Sequence, residues 1–258
     1  MKLGLMNNPA NDIESELKWI GENHLDFFDL TIEPIKAMPY HIKTKRILNL
    51  LQKYNLKIIG HTCFYLQYAS PIKRVREAAI SELKTYIDVF GKLGVRKVNI
   101  HTDENYPSFF NKQELIQRNA EGLNSLATYA SRYKIQLMLE HNPNKLLGKP
   151  KDIKMILDLA PEVGFHLDIG HAFIEMGSDL EEYFRLFNSK LAHVHISDNN
   201  GKSDDHMPLG TGKINWQNII KLLKKYNYDD TITLEIFSPD RNYKLINKDM
   251  FKQWWQQY

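Results

Sequence analysis

The sequence contains very little cysteine: Cys63 is the single one among 258 residues. One cysteine excludes an internal disulfide and is typical of a reducing compartment, so we expect a cytoplasmic protein. Long apolar runs are missing as well. Because no stretch of about 18 apolar residues occurs, no membrane span is predicted. The first residues read as a short strand and lack the apolar region of a signal peptide.

An excess of charge of one sign is also missing. The 34 basic and 31 acidic side chains give a formal net charge of +3. This balance neither requires nor excludes a nucleic-acid partner. No linker rich in glycine, serine or proline divides the chain, so one domain over residues 1–258 is predicted. That length is typical of an α/β barrel folded as a single unit.

Short apolar segments alternate with helical patterns along the whole chain. The segments are rich in β-branched and aromatic residues, as in parallel strands buried on both faces. The clearest helical pattern runs from Ile72 to Leu93, where apolar residues recur every three or four positions. Eight strand–helix units predict a (β/α)8 TIM barrel, whose active site lies at the carboxyl ends of the strands. The predicted strands are Lys2–Met6, Phe27–Ile32, Lys57–Cys63, Lys97–His101, Gln136–His141, Val163–Asp168, Leu191–Ser197 and Thr231–Phe237.

Ionisable residues stand at the ends of four consecutive predicted strands, the fifth to the eighth. They are Glu140, Asp168, His195 and Glu235. Burying such groups without a partner is costly, and adjacent barrel strands bring their ends close enough to share one ion. Carboxylate oxygens with one imidazole nitrogen favour Mn²⁺, Mg²⁺, Co²⁺ or Zn²⁺. We therefore predict a divalent metal centre, with isolated ion pairs as the alternative.

A second group of candidate ligands surrounds this core. His61 and His101 end the third and fourth strands, His171 follows Asp168 by three residues, and the loop after the seventh strand carries Asp204 and His206. These side chains offer donors for one or two further ions that would share Glu140, giving one to three ions per chain. They could instead hydrogen-bond sugar hydroxyls or a phosphate, and the sequence leaves both readings open.

Two further histidines neighbour candidate ligands along the chain. His141 follows Glu140, and His193 precedes His195 by two residues. Since side chains alternate along a strand, we expect both to lie between barrel and helices, hydrogen-bonded and not bound to metal.

Several spaced motifs resemble a known group of enzymes. Gly164–His171 reads GFHLDIGH, His193–Asp198 reads HVHISD, and Asp204–Gly212 carries the pattern D-x-H-x-x-x-G-x-G. This combination, over nearly the whole chain, resembles the xylose isomerase-like barrel superfamily. That superfamily includes sugar and sugar-phosphate isomerases and epimerases, inosose-type dehydratases and endonuclease IV.

The resemblance implies two candidate activities. In the isomerases and epimerases one ion is held by a Glu, Asp, His, Glu set, which falls here on the four core positions. Endonuclease IV adds five ligands, which fall on the outer group. This chain therefore has a matching residue at all nine metal-ligand positions of that enzyme. The basic loop with which that nuclease enters DNA is replaced by Leu30–Pro34, which is acidic. No basic patch with interleaved aromatic residues is visible either.

We therefore favour a metal-dependent isomerase or epimerase that acts on a sugar or sugar phosphate. In this interpretation Glu140 and Glu235 transfer the carbon-bound proton through an enediolate. Glu33 and His171 orient hydroxyls, and Phe64 with Tyr65 contacts the substrate. The alternative is an endonuclease IV-like zinc phosphodiesterase acting on abasic DNA, and DNA is expected as a partner only in that case. The sequence leaves the substrate open, and a homo-oligomer is compatible with it.

Overall fold

Eight parallel strands form one closed barrel in the computed structural model, which describes residues 1–104, 106–107 and 110–258. Each strand pairs with the next along the chain, and β1 closes the barrel against β8. The (β/α)8 prediction is thus confirmed. The strands are β1 (Lys2–Met6), β2 (Phe27–Ile32), β3 (Lys57–Thr62), β4 (Lys97–His101), β5 (Gln136–Glu140), β6 (Gly164–Asp168), β7 (Leu191–Ile196) and β8 (Thr231–Leu234).

Helices connect the strands and surround the barrel. A helix follows each strand, as the eight predicted strand–helix units require, and the Ile72–Leu93 pattern forms α3. In the described part of the chain the helices are α1 (Ile13–Glu22), α2 (Thr44–Tyr54), α3 (Lys73–Lys92), α4 (Lys112–Ala130), α5 (Pro150–Leu159), α6 (Ile169–Met176), α7 (Glu181–Phe187), α8 (Trp216–Lys225) and α9 (Asn242–Gln257). Short 3₁₀ turns lie at Pro39–His41, Ser131–Tyr133 and Asn188–Lys190.

Two helical features differ from the sequence expectation. Helix α6 was not predicted; it begins directly after β6, where Asp168 accepts a hydrogen bond from the His171 backbone nitrogen at 2.7 Å. Helix α9 begins at Asn242, six residues before Lys248, where the apolar pattern predicts its start. The Asp240 side chain accepts from the Asn242 nitrogen at 2.8 Å and so satisfies a donor at this helix start. In both cases a side-chain acceptor satisfies a backbone donor at a helix start that apolar spacing does not indicate.

The apolar core lies between the helices and the outer face of the strands. On α3, Leu83, Ile87 and Phe90 form a buried stripe that packs on the barrel. Gly60 of β3 is required for this packing, because a Cβ there would come within 2.7 Å of the Phe90 ring. Burying such side chains supplies the main stabilisation of the fold, at about 25 cal/mol per Å² of apolar surface.

The inside of the barrel changes from apolar to polar along its axis. Phe27, Ile59 and Met138 form a small buried cluster in the interior. Two residues further along their strands, Asp29, His61 and Glu140 occupy the interior, because every second side chain of a strand points inward. The polar end of the interior lies at the carboxyl ends of the strands.

The expectation for His193 is wrong. It lies two residues before His195, so both side chains point into the barrel, and its Nε2 atom is 3.4 Å from Asp29 Oδ2. The error was one of parity, since only an odd separation places two strand residues on opposite faces. His141 does lie in the outer layer, where its ring stacks on Tyr183 with centroids 5.0 Å apart.

Candidate metal centre

The ends of β5 to β8 bring four ligand atoms together. Glu140, Asp168, His195 and Glu235 each offer one atom, and these atoms lie within 4.8 Å of one another. All four residues are buried. Three carboxylates and one imidazole form a donor set suited to a hard or borderline divalent ion.

The electrostatics of this core favour a bound cation. Burial, together with the carboxylates of Glu235 and Glu140, raises the pKa of Asp168 to about 7. Its Oδ1 atom accepts from the His171 nitrogen, while Oδ2 has no hydrogen-bond partner among the described residues. A buried carboxylate oxygen without a partner is costly, and a metal ion would satisfy it. The residues present therefore fit a divalent ion.

Glu140 also belongs to a second group of ligand atoms. It forms this group with His61 and His101, again within 4.8 Å of one another. The Glu140 Oε2 atom lies 3.1 Å from His101 Nε2 and 4.0 Å from His61 Nε2. Asn99 donates to the same oxygen. Glu140 is therefore shared by two groups of ligand atoms.

A further cluster of ionisable side chains connects His171 of α6 with the loop after β7. The Asp204 Oδ2 atom lies 3.0 Å from both His171 Nε2 and His206 Nε2. The Phe237 nitrogen donates to the His206 carbonyl at 3.0 Å, which ties the loop to the chain after β8. Burial alone would lower the pKa of His206, but Glu235 and Asp204 raise it to about 9. All three outer residues thus face the same end of the barrel as the core.

Sequence reasoning missed the inward position of four polar side chains below these groups. Asp29 Oδ2 lies 3.0 Å from His195 Nε2, and His166 Nδ1 lies 3.3 Å from Glu140 Oε2. A simple signal could have found them, because each precedes a residue at the barrel mouth by two positions and so shares its face. The four are Asp29, Asn99, His166 and His193.

A cavity of about 710 Å³ opens above the ligand groups. Among the residues predicted to contact substrate, Glu33, Phe64 and His171 line it. Tyr65 is not on its wall; its ring packs edge-on against Phe64, with centroids 5.2 Å apart. Burial raises the pKa of Glu33 above its ordinary range. The cavity combines polar groups on its floor with an aromatic ring at its side, as small-molecule sites do.

The chain belongs to the xylose isomerase-like TIM barrel family, whose sequence profile matches residues 17–254. It is 29% identical to an uncharacterized protein of Methanocaldococcus jannaschii over 93% of this chain and 94% of that protein. It is also similar to a probable endonuclease 4 of Aster yellows witches'-broom phytoplasma, at 27% identity over 73% and 71% of the two chains. A fructoselysine 3-epimerase of Shigella flexneri is 25% identical over 74% and 72%.

Among solved structures, a D-tagatose 3-epimerase-like protein superimposes with a TM-score of 0.89. The two chains are 25% identical, and the match covers 100% of this chain and 98% of the other. The resemblance to this family expected from the motifs is thus confirmed. No helix in the described part of the chain is long and apolar enough to cross a membrane.

Proposed function

We propose that this protein is a divalent-metal-dependent isomerase or epimerase of a sugar or sugar phosphate. One observation carries the proposal: the four core ligand atoms lie within 4.8 Å of one another, and Glu235 of this core lines a cavity of about 710 Å³. That volume is in the range of small-molecule sites, which is about 300 to 1,000 Å³. The similarity to sugar epimerases supports the same substrate class.

Two carboxylates would move the proton. Glu140 ends β5 and Glu235 follows β8, so they approach the core from two sides, with Asp168 and His195 between them. Although burial opposes it, His195 and His206 lower the pKa of Glu235 to about 2, so this group is ionised at neutral pH. One Glu would remove the carbon-bound proton and the other would return one, which inverts the configuration.

The remaining residues would bind and orient the sugar. A divalent ion held by the four core side chains would supply Lewis acidity that polarises the ketose carbonyl. Glu33 and His171 line the cavity and can hydrogen-bond hydroxyl groups, while Phe64 offers an apolar face to the ring or chain of the sugar. These roles keep the reacting carbon next to Glu140 and Glu235.

The test is exchange of a ketose carbon-bound proton with solvent deuterium. We expect D-fructose or D-fructose 6-phosphate to take up deuterium with protein loaded with Mn²⁺, Mg²⁺ or Co²⁺. Exchange should stop after chelation and return when the ion is added back. Failure of the metal-loaded protein to exchange either probe would contradict the proposal.

A second candidate function is a phosphodiesterase of the endonuclease IV type. The observation that favours it is that Glu140 belongs to two groups of ligand atoms, while Asp204 contacts both His171 and His206. Against it, Leu30–Pro34 lacks the basic character of a DNA-gripping loop. An oligonucleotide with one abasic site is the discriminating probe. Its cleavage, lost in a His206→Ala variant, would reverse the order of the two functions.

A further inference from the structure

Lys244 is the one lysine or arginine on the cavity wall, among the residues that the structure describes. It lies in the first turn of α9 and is half-buried. Within the described residues its ammonium group forms neither an ion pair nor a hydrogen bond. Leaving an ammonium group partly buried without a partner costs free energy, so this position requires an explanation.

The neighbouring basic residues of the same segment do have partners. Arg241, one turn earlier, pairs with Glu16 and lies over the Trp19 ring at 5.1 Å. Lys248, one turn later, donates to the Asn23 carbonyl at 3.1 Å. Arg241 and Lys248 thus attach α9 to the region around α1. Lys244 makes no such contact and faces the cavity instead.

Two neutral groups lie on the same side of the barrel mouth. Ser238 follows β8 and Asn8 follows β1, and these two strands are paired. Both residues line the cavity with Lys244. The Ser238 hydroxyl and the Asn8 side-chain nitrogen have no hydrogen-bond partner in the described part of the chain. One positive charge and two neutral donors therefore line this side of the cavity.

We propose that Lys244 binds an anionic group of the substrate, carried on a part of the sugar that does not react. The ligand would be a ketose with a phosphate monoester or a carboxylate at its far end. A lysine ammonium is a point charge with three donors and suits either anion. The negative charge of the core carboxylates would repel an anion, which favours entry of the sugar with its uncharged end toward the core. This inference rests on the proposed function of the site.

The experiment compares anionic and neutral ketoses in metal-loaded protein. Calorimetry measures the binding of D-fructose 6-phosphate, 5-keto-D-gluconate and D-fructose to the wild type, to Lys244→Met and to Lys248→Met. We expect Lys244→Met to weaken binding of one or both anionic ketoses by about 10- to 100-fold, the usual effect of losing a charged hydrogen bond. D-fructose binding should change by less than about twofold. Lys248→Met, the matched control on the same helix, should leave all three affinities unchanged.

The two anionic probes distinguish the source of the charge. If Lys244→Met loses affinity only for D-fructose 6-phosphate, the site binds phosphate. If it loses affinity only for 5-keto-D-gluconate, the site binds a carboxylate. The inference is overturned if wild type binds neutral and anionic ketoses equally. It is also overturned if Lys244→Met weakens D-fructose binding as much as the others, because Lys244 would then only support the wall.

Proton exchange measured on the same samples separates this inference from the proposed function. Binding of an anionic ketose that depends on Lys244, without exchange of any probe, supports the anion site and contradicts the isomerase proposal. Exchange that is equal for all three probes and unchanged in Lys244→Met supports the isomerase proposal and contradicts the anion site.

Discussion

Asp29 holds the imidazole of His195 from across the barrel. The Asp29 Oδ2 atom lies 3.0 Å from His195 Nε2, while the other ring nitrogen, Nδ1, lies 2.8 Å from Glu235 Oε2. Thr233 donates to the same Asp29 oxygen at 2.7 Å. Metal-binding histidines commonly donate their second N–H to a carboxylate, which fixes the tautomer and the ring orientation. This contact therefore directs Nδ1 of His195 toward the core.

Asp29→Asn should weaken metal binding without unfolding the protein. The amide cannot stabilise the His195 N–H as a carboxylate does, so we expect the affinity for the first ion to fall by about 10- to 100-fold. Calorimetric titration of metal-free protein with Mn²⁺ or Zn²⁺ measures this affinity. Asp26→Asn is the control, because Asp26 accepts from the Leu3 nitrogen near the start of the same strand and does not contact the site. Equal affinities in the two variants would count against a positioning role for Asp29.

Glu235→Gln should remove activity while the fold stays intact. The change keeps the shape of the side chain but removes one negative charge from the core and one of the two proposed proton carriers. We expect proton exchange to fall by at least about 100-fold, with an unchanged circular dichroism spectrum. Glu121→Gln, on the exposed face of α4, serves as the matched control. Elemental analysis of wild type should find at least one divalent ion per chain, and full activity in metal-free protein would reject the proposed site.

His101→Ala tests whether the ligand groups act separately. His101 contacts Glu140 at 3.1 Å but is not one of the four core ligands. We therefore expect weaker substrate binding, seen as a higher KM, with the core ion still present by elemental analysis. His41→Ala, at an exposed position, is the control. Loss of the core ion in His101→Ala would indicate one coupled multinuclear centre and would favour the phosphodiesterase.

Protein whose metal has been removed with a chelator (the chelated form) should lose stability as the pH rises from about 7 to about 9. Neighbouring carboxylates outweigh burial and raise the pKa of His206 to about 9, and they raise those of His171 and His195 well above 6.5. Such groups hold protons in the folded state that the unfolded chain has released, so their stabilisation is complete below pH 6.5 and is lost as the pH rises through the folded pKa. Metal binding has the opposite dependence, because it needs deprotonated ligands.

Melting temperatures of chelated and metal-loaded protein at pH 7, 8 and 9 check this expectation. The difference in melting temperature between the two forms should widen as the pH rises. The His206→Gln substitution should make the melting temperature of the chelated form fall less over this range. A melting temperature of chelated protein that stays constant or rises over this range would contradict the assigned pKa shifts.

The sequence by itself determined the order of strands and helices and the place of the candidate ligands. Short β-branched runs and three-to-four spacing are local patterns, so the eight strands could be located within a few residues. Each strand ends in a loop at the same end of a barrel, so Glu140, Asp168, His195 and Glu235 could be predicted to converge. Their role as metal ligands stays a prediction, as does that of the outer histidines.

Only the tertiary structure decided which side chains share the space beneath and beside those ligands. Asp29 and His195 are 166 positions apart in sequence, and closure of the barrel alone brings them into contact. Lys244 lies in the first turn of α9, before the start that the apolar pattern predicts, and it lines the cavity. These features depend on packing between distant segments, which local periodicity does not encode.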